Sequence, residues 1–236
     1  MIRFYSPDIE ETLTLAPDES AHCARVLRKQ AGEEIEVVDG KGYACSCRIL
    51  NANPKGVEVE ILDRREEPKT WDGRLTLAVA PTKNADRMEW LVEKAVEMGV
   101  DEIVLLKCDR SERKVMRLDR LEKIMVSAMK QSLKATLPIL RGPVEFKDFV
   151  KESGTGDMYK VFGYCSPEVE RRDFSEYYKG GRDLIVMIGP EGDFSPEEVK
   201  SAMDSGFVPV TFGRSRLRTE TAAMYGVAAF HVLGNM

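Results

Sequence analysis

Apolar and polar residues alternate over short stretches in the first part of the chain, from Ile2 to about Leu62. A period of two predicts strands with one exposed face, and the clearest examples are Glu34–Val38 and Gly56–Ile61. One helical stretch is expected from about Asp18 to Lys29. The turns expected beside the strands are Asp39–Gly42 and Asn51–Gly56. This pattern predicts a small β-barrel with one helix.

After Trp71 the pattern changes to strands and helices in alternation. Alternating units of this kind predict a parallel sheet that is covered by helices on both faces. The expected strands are Leu75–Ala80, Ile103–Leu106, Val161–Tyr164, Leu184–Ile188 and Val208–Phe212. The expected helices run from Met88 to Gly99, from Leu118 to about Lys134 and from Thr219 to Leu233.

The two patterns meet at the charged segment Arg64–Thr70, which contains a proline and has no periodicity. Such a segment is typical of a linker. We therefore expect two domains, a barrel over residues 1–71 and an α/β domain over residues 72–236.

Composition places the chain among ordinary globular proteins, with 43% hydrophobic and 32% charged residues and a formal net charge of −5. It contains no apolar run long enough to span a bilayer, and residues 1–8 lack the layout of a secretion signal. We expect a cytoplasmic protein with no membrane segment.

The cysteines and histidines give little support for a metal centre. Cys45 and Cys47 are two residues apart in an alternating stretch, a spacing that suits neither a disulfide nor a tetrahedral zinc pair. Buried free thiols are the preferred interpretation. His22 and His231 are the only histidines, so we expect no metal.

Two loops that follow strands contain the candidate chemistry. In the first loop, Gly189 and Gly192 lie between a strand and a helix that Ser195, Pro196 and Glu198 should start as a capping box. Missing side chains let a ligand approach the backbone, but glycines are also ordinary turn residues. From the residues alone, both explanations remain open.

In the second loop, Arg214, Arg216 and Arg218 precede an apolar helix. Cations oppose the dipole at a helix N-terminus, so this placement indicates that an anion such as phosphate or carboxylate binds there. The alternative is that Arg218 pairs with Glu191 or Glu220 and joins two loops.

A strongly basic segment, Lys107–Arg141, contains ten Lys or Arg residues and four Asp or Glu residues. Such an imbalance indicates a surface for a polyanion, although charged runs are more often simply solvated. Arg25, Arg28 and Lys29 form a smaller basic patch. The chain lacks the glycine fingerprints of nucleotide-binding loops and the serine-hydrolase elbow.

The two loops contain the motifs Gly189-Pro190-Glu191-Gly192 and Phe212-Gly213-x-x-x-Leu217-Arg218-Thr219-Glu220-Thr221-Ala222. Together these motifs resemble the C-terminal signature of the SPOUT class of RNA methyltransferases. The resemblance is strongest to the small-subunit ribosomal RNA methyltransferase E family, which methylates N3 of a uridine. Supporting motifs are His22-x-x-x-Val26-Leu27-Arg28, the segment from Lys83 through Arg87 to Gly99, and Gln131-Ser132 before Pro138.

The resemblance implies a PUA-like barrel followed by a SPOUT domain with a deep trefoil knot, and a homodimer. It also implies S-adenosyl-L-methionine as cofactor, with 16S ribosomal RNA, within the small ribosomal subunit, as partner. The cofactor would contact Ile188, Gly189, Pro190, Glu191, Gly192, Phe212, Gly213, Leu217, Arg218, Thr219, Thr221 and Ala222. The sequence departs from the family pattern at Asp193, where a second glycine is common, and at Ser127, Lys130 and Lys134.

For catalysis, Arg218 is the expected cation beside the uracil, and Glu220 the candidate carboxylate for its N3 proton, a helix-capping role being equally compatible. The expected RNA contacts are Arg25, Arg28, Lys29, Lys83, Arg87, Arg113, Lys114 and Arg117. Two other functions are compatible with the sequence. One is a non-catalytic RNA-binding or ribosome-assembly protein with a vestigial cofactor domain, and the other is an α/β enzyme that uses a different nucleotide.

Overall fold

The computed structural model describes residues 2–112, 116–154 and 156–234. The chain divides into two compact units. The first consists of Met1–Thr70 and Met125–Leu137, and the second of Trp71–Ile124 and Pro138–Met236.

The first unit is built on a four-stranded sheet in the order β1-β2-β3-β4. Strand β1 runs parallel to β2, whereas β2, β3 and β4 are antiparallel neighbours. The strands are β1 (Arg3–Tyr5), β2 (Glu34–Val38), β3 (Tyr43–Asn53) and β4 (Gly56–Glu66). The alternation predicted for Gly56–Ile61 is confirmed, since Val57 and Val59 are buried and Glu58 and Glu60 are exposed. The exposed face expected for Glu34–Val38 is wrong, because Glu36 is buried with its apolar neighbours and forms ion pairs with Arg3 and Arg65. Cys45 and Cys47 of β3 are both buried free thiols.

The expected linker at Arg64–Thr70 is wrong for its first residues, because Arg64, Arg65 and Glu66 belong to β4 and pair with β3. Their charges mislead a sequence-based assignment, since Arg64 and Arg65 form ion pairs with acidic residues from other segments of this unit. A strand can therefore carry consecutive charges without being a linker.

The helical part of the first unit is also less regular than expected. The single helix predicted from Asp18 to Lys29 is instead a short α-helix followed by a π-helical turn, His22–Val26, and it ends before Arg28, whose φ is 54°. The α-helices of this part are α1 (Ile9–Thr12) and α2 (Pro17–Ala21).

The second unit contains a seven-stranded sheet in the order β7-β6-β5-β10-β8-β11-β9, and every pairing in it is parallel. The predicted parallel sheet is confirmed. Its strands are β5 (Leu75–Val79), β6 (Glu102–Lys107), β7 (Ile139–Glu145), β8 (Tyr159–Gly163), β9 (Arg172–Asp173), β10 (Leu184–Ile188) and β11 (Val208–Thr211). The sequence pattern gave no indication of β7 or β9.

Helices cover both faces of this sheet, as predicted. The helices are α3 (Ala85–Met98), α4 (Leu118–Gln131), α5 (Phe146–Glu152), α6 (Phe174–Tyr177), α7 (Pro196–Asp204) and α8 (Thr219–Gly234). Helices α3 and α8 pack together, and α5 packs on α7. In β10, Met187 joins the cluster with α5 and α7, whereas Val186 contacts Gly226 of α8. A strand buried on both faces explains why β10 is continuously apolar.

The sequence predicted that helix α4 ends near Lys134, but it ends at Gln131. Leu133 takes a φ of 56°, and the Lys134 N–H donates to the Met129 carbonyl, which closes the helix end. No helix in the described part of the chain has the length and apolar character needed to cross a membrane.

Candidate active site

The candidate site is built from loops at the carboxyl edge of the seven-stranded sheet. Strand β10 lies between β5 and β8, and Ile188 at its end is in register with Val79 on one side and Gly163 on the other. Because parallel strands end on the same side, the loops after β5, β8, β10 and β11 emerge next to one another. The loops after β10 and β11, which contain the candidate chemistry in the sequence, therefore lie close together.

Helix α7 fixes the far end of the loop that follows β10. The Ser195 side chain accepts a hydrogen bond from the Glu198 N–H, and the Glu198 carboxylate accepts one from the Ser195 N–H. The predicted capping box, with Pro196 at the start of the helix, is confirmed.

The two glycines of this loop pack closely against the protein's own side chains. A Cβ at Gly189 would lie 3.1 Å from the Phe194 ring, and a Cβ at Gly192 would lie 3.4 Å from the Arg110 Cβ. Both have ordinary φ angles, so neither is needed for a left-handed turn. The absent side chains thus make room for Phe194 and Arg110.

Asp193 occupies a left-handed backbone conformation, with a φ of 63°. Aspartate tolerates this region better than most residues other than glycine. Its Oδ2 accepts a hydrogen bond of 3.0 Å from the Cys165 N–H, and its own N–H donates to the Pro190 carbonyl. The residue that departs from the family pattern therefore ties the loop after β10 to the loop after β8.

The main-chain N–H groups of the loop after β11 make few hydrogen bonds within the described part of the protein. Within the described residues, none of the six N–H groups from Gly213 to Arg218 donates a hydrogen bond. Gly213 has a φ of 105°, and a Cβ there would meet nothing within 4 Å. Next to it, Phe212 packs so closely that a Cβ on Gly163 would lie 2.9 Å from its ring. The loop combines an apolar wall with free main-chain donors beside open space.

The start of α8 joins the two loops. The Thr219 hydroxyl donates to the Gly189 carbonyl at 3.3 Å, so the helix is anchored on the loop after β10. Glu220 is buried, and its Oε1 lies 3.6 Å from Nε of Arg87. Thr221 is exposed and Ala222 is half-buried one turn into the helix.

Arg218 is exposed, and within the described residues its guanidinium has no hydrogen bond or ion pair. The alternative that it pairs with Glu191 or Glu220 is wrong. Glu191 accepts a hydrogen bond from the Lys83 N–H at 2.9 Å, and Glu220 faces Arg87. A cation at the helix start that has no partner among the described residues is available for an anion.

Comparison with known proteins identifies the family. Residues 69–231 match the family model described as an RNA methyltransferase domain, and residues 15–62 match the model described as an RNA methyltransferase PUA domain. The chain belongs to the RNA methyltransferase family.

Several relatives in the RNA methyltransferase family match over nearly the whole chain. A crystal structure of a probable rRNA-methyltransferase from Porphyromonas gingivalis is 41% identical, covers 100% of this chain and 99% of its own, and has a TM-score of 0.92. The ribosomal RNA small subunit methyltransferase E from Neisseria gonorrhoeae, bound to S-adenosyl methionine, is 29% identical with a TM-score of 0.85, covering 99% and 98% of the two chains. The curated protein of that name from Aquifex aeolicus is 28% identical over 94% of this chain and 95% of its own. The expected SPOUT-type α/β fold with a PUA-like domain is confirmed.

Of the RNA contacts expected for a member of the RNA methyltransferase family, two lie in the loop and helix after β5. Lys83 forms an ion pair with Glu112, 2.9 Å between Nζ and Oε2, and Glu112 raises the pKa of the Lys83 ammonium. Arg87 is half-exposed beside Glu220. Both cations lie at the carboxyl edge of the sheet, and both have acidic neighbours in the chain.

The basic segment is more balanced in the structure than in the sequence. Acidic residues outside the segment pair with several of its cations: Glu145 with Lys107, Glu89 with Arg120, Glu19 with Lys130, and Glu102 with Arg141. Arg117 pairs with Asp119 on the surface. Arg113 and Lys114 lie outside the described residues. The imbalance counted along the sequence therefore overstates the free positive charge.

In the first unit, Arg25 and Arg28 are exposed on and just after the π-helical turn. Within the described residues neither guanidinium has an ion pair, whereas Lys29 pairs with Glu33. Of the three expected contacts in this patch, the two arginines have the more available charges.

Sequence reasoning missed two arginines that hold the loops of the site. Arg110, after β6, donates to the carbonyls of Gly192 and Phe194. Arg171 donates to the carbonyls of Tyr164 and Cys165 in the loop after β8. Arg110 appeared only as one of many basic residues, because its role depends on which strands are neighbours.

The loops of the site include one exposed thiol, Cys165, which is not activated as a nucleophile. Burial and Asp193 raise the pKa of the Cys165 thiol, so it is protonated at neutral pH. No group of three or more His, Cys, Asp or Glu side chains in the described ranges is arranged to hold a metal ion.

A cavity of about 340 Å³ lies at the opposite, amino-terminal edge of the sheet. Its charged lining residues are paired with each other, since Glu102 accepts from both Arg74 and Arg141. Burial raises the pKa of Glu102, but the two guanidiniums outweigh it and the net shift is downward. This is a structural ion-pair cluster.

Proposed function

We propose that this chain transfers a methyl group from S-adenosyl-L-methionine to N3 of a uridine in 16S ribosomal RNA of the small subunit. The observation that carries the proposal is the junction of the loops after β10 and β11, where the N–H groups of Gly213–Arg218 donate no hydrogen bond within the described residues and Gly213 faces open space. The names of the relatives support ribosomal RNA as the substrate class, and the bound compound in the Neisseria gonorrhoeae protein supports the cofactor.

The residues at this junction fit the proposed cofactor. An adenosine moiety needs an apolar wall and hydrogen-bonding main-chain groups, and Ile188, Phe212 and the free N–H groups after Gly213 provide both. The proposed binding residues are Ile188, Gly189, Pro190, Glu191, Gly192, Phe212, Gly213, Leu217, Arg218, Thr219, Thr221 and Ala222. When bound, S-adenosyl-L-methionine supplies a methyl group that its positive sulfur has already activated.

The chain's own contribution is to position the uridine and to help remove its N3 proton. Arg218, which has no partner among the described residues, would stabilise the uracil anion at one of its carbonyl oxygens or hold the neighbouring phosphate. Glu220 would accept the proton, since it is the carboxylate at the start of α8. Arg87, whose Nε lies 3.6 Å from Glu220 Oε1, compensates the carboxylate charge.

The first unit would hold the RNA. The proposed contacts there are Arg25 and Arg28, which have no ion pair among the described residues, together with Lys29. Those of the second domain are Lys83, Arg87, Arg113, Lys114 and Arg117. We further propose that the barrel over residues 1–71 and the methyltransferase domain over residues 72–236 act together in a cytoplasmic homodimer. The target base must be unstacked for N3 to be reached.

The decisive experiment compares 16S ribosomal RNA from cells with and without this protein, by mass spectrometry of the nucleosides at each position. We expect one N3-methyluridine that disappears without the protein and returns with the purified protein and S-adenosyl-L-methionine. Calorimetry on the full chain supplies the companion measurement. An RNA pattern that is identical in both cells, with no binding of the cofactor, would instead favour a non-catalytic RNA-binding or ribosome-assembly protein.

A further inference from the structure

Arg110 lies in the loop after β6, and its side chain reaches the loop after β10. Its Nη1 donates to the Gly192 carbonyl at 2.9 Å and to the Phe194 carbonyl at 3.3 Å. In the order β6-β5-β10, these two loops belong to strands that are not neighbours. A single exposed side chain therefore spans the end of β5.

The aliphatic part of the Arg110 side chain also packs against this loop. A Cβ on Gly192 would lie 3.4 Å from the Arg110 Cβ and 3.6 Å from its Cδ. The absence of a side chain at Gly192 lets the arginine stem lie flat against the loop backbone. The glycine and the arginine thus form one packed unit.

Two further hydrogen bonds join the same loops. The Ser195 hydroxyl donates to Asp109 Oδ2 at 2.7 Å, and the Asp109 N–H donates to Glu198 Oε1 at 2.9 Å. The capping box of α7 is therefore held in place, and the backbone on which Arg110 acts has a fixed end.

The hydrogen bond to Gly192 orients one peptide group. In a trans peptide the C=O and the next N–H point in opposite directions. With the Gly192 carbonyl held by Arg110, the Asp193 N–H points the other way, where it donates to Pro190 at 2.9 Å. This closes the turn that contains Pro190, Glu191 and Gly192 and maintains the left-handed Asp193.

We propose that Arg110 is a positioning residue for the cofactor loop: it sets the orientation of the backbone at residues 189–193 without contacting the cofactor. This inference rests on the proposed function. Its consequence is specific: loss of the guanidinium weakens cofactor binding and leaves the chemical step alone, because Arg218 and Glu220 lie on other segments.

The test uses Arg110→Met, which keeps the stem over Gly192 and removes the donors, and Arg110→Lys, which keeps a charge and a donor. Arg182→Met is the matched control. Arg182 is an exposed arginine that lies just before the start of β10 and pairs with Asp157. Cofactor affinity is measured by calorimetry, and KM for S-adenosyl-L-methionine and kcat are measured with ribosomal RNA as substrate.

For Arg110→Met we expect Kd and KM for the cofactor to rise about tenfold, the factor typical of a lost hydrogen bond to a charged group, with kcat at saturation nearly unchanged. Arg110→Lys should restore part of the affinity, and Arg182→Met should match the wild type. A lower kcat with an unchanged KM would indicate a merely structural role and overturn the inference, as would wild-type affinity in Arg110→Met.

Cofactor binding by the wild type distinguishes failure of the positioning role from failure of the proposed function. If the wild type binds the cofactor and Arg110→Met binds it equally well, only the positioning role fails. If the wild type itself binds no S-adenosyl-L-methionine, the proposed function fails and the positioning role fails with it.

Discussion

The arginines around the candidate site differ in what their guanidinium groups contact. Arg110 and Arg171 donate to backbone carbonyls, and Arg87 lies beside Glu220. Arg218 has no such partner among the described residues. A group that is already engaged organises the loops, whereas an unengaged cation is available to a substrate.

Replacement of Arg218 by alanine should reduce catalysis and leave cofactor binding nearly intact, because the proposed contact of this residue with the cofactor uses its main-chain N–H group. Removing one preorganised group that stabilises a developing anion typically lowers kcat by about 100-fold or more. Arg214→Ala is the matched control, because Arg214 is an exposed arginine of the same loop. Single-turnover methylation and calorimetry provide the two readouts, and a normal rate in Arg218→Ala would remove this residue from the mechanism.

At this scale the sequence singled out candidate residues but did not indicate which side chains they contact. The arginines before α8 were recognisable because cations are unfavourable at a helix start. The pairs of Glu191 with Lys83 and of Glu220 with Arg87 were not, because each joins segments about a hundred residues apart or more. Such pairs depend on the order of the strands, which the local pattern does not contain.

Among the elements, α8 packs closely against the sheet at Gly226. A Cβ there would lie 2.8 Å from Cγ1 of Val186 in β10, a distance that real Cβ atoms hardly ever show. Glycine is a poor helix former, so its presence within an apolar helix reflects this close approach. The packing of α8 also determines the position of its first two residues, Thr219 and Glu220.

Gly226→Ala should therefore destabilise the protein, although alanine favours helices. Overpacking of this kind typically costs about 1–3 kcal/mol, which exceeds the gain in helix propensity. The control is Gly234→Ala at the end of the same helix, where a Cβ would meet nothing within 4 Å. Urea denaturation measures both, and equal stability of the two variants would contradict the close contact.

In the first unit, Glu36 of β2 connects two other strands by ion pairs, to Arg3 of β1 and to Arg65 of β4. Burial raises the pKa of this carboxyl, but hydrogen bonds from Arg65 and Arg3 outweigh it and the net shift is downward. A carboxyl with a lowered folded-state pKa stabilises the fold above its ordinary value of 4.5 and loses that effect as the pH falls through the lowered value.

Glu36→Gln should reduce the free energy of unfolding at pH 7 by about 2 kcal/mol and weaken its decline below about pH 4.5. Glu34→Gln is the control, because Glu34 lies on the same strand in an exposed pair with Arg48. Thermal unfolding followed between pH 3 and pH 7 would test this. If Glu36→Gln and the wild type lost stability in parallel on acidification, Glu36 would not be the group responsible.

Elements with strong local signals were predictable, and weak ones were not. The capping box at Ser195 marked the start of α7 correctly, because all its interactions lie within four residues. Strand β7 contains Gly142 and Pro143 and is only partly buried, so its apolar pattern is interrupted. Strand β9 has two residues and exists through its pairing with β11.

For the whole molecule, the distribution of free charge differs from the distribution of charged residues. Acidic partners from other elements neutralise much of the basic segment, whereas Arg25 and Arg28 of the first unit have no ion pair among the described residues. Counterion release depends on cations that can reach phosphates. These two arginines should therefore contribute to RNA affinity.

The double variant Arg25→Gln with Arg28→Gln should bind ribosomal RNA more weakly, with a shallower dependence on salt. Each lost contact to a single-stranded phosphate lowers the slope of log K against log salt by about 0.7. Arg48→Gln serves as control, since Arg48 is a half-exposed arginine of the same unit that pairs with Glu34 and Glu60. A slope that stays unchanged in the double variant would assign RNA binding to other cations.

Composition and periodicity were sufficient for the class of fold at this scale, including the change from an alternating pattern to strand–helix units after Trp71. They did not indicate that Met125–Leu137 clusters with the first unit. The residues responsible are individually ordinary: the Gly42 N–H donates to the Ala135 carbonyl, and the Leu137 N–H donates to Gly40. Such backbone contacts leave no trace in a hydrophobic pattern.

The clustering of Met125–Leu137 with the first unit has a practical outcome for anyone who wishes to isolate that unit as a fragment. A clone truncated after codon 70 would lack the segment that hydrogen-bonds Gly40 and Gly42, and Arg3 would lose its acceptor at the Leu133 carbonyl. Grafting residues 125–137 back through a short engineered tether, or permuting the gene so that they precede residue 2, would give a better expression target than simple truncation.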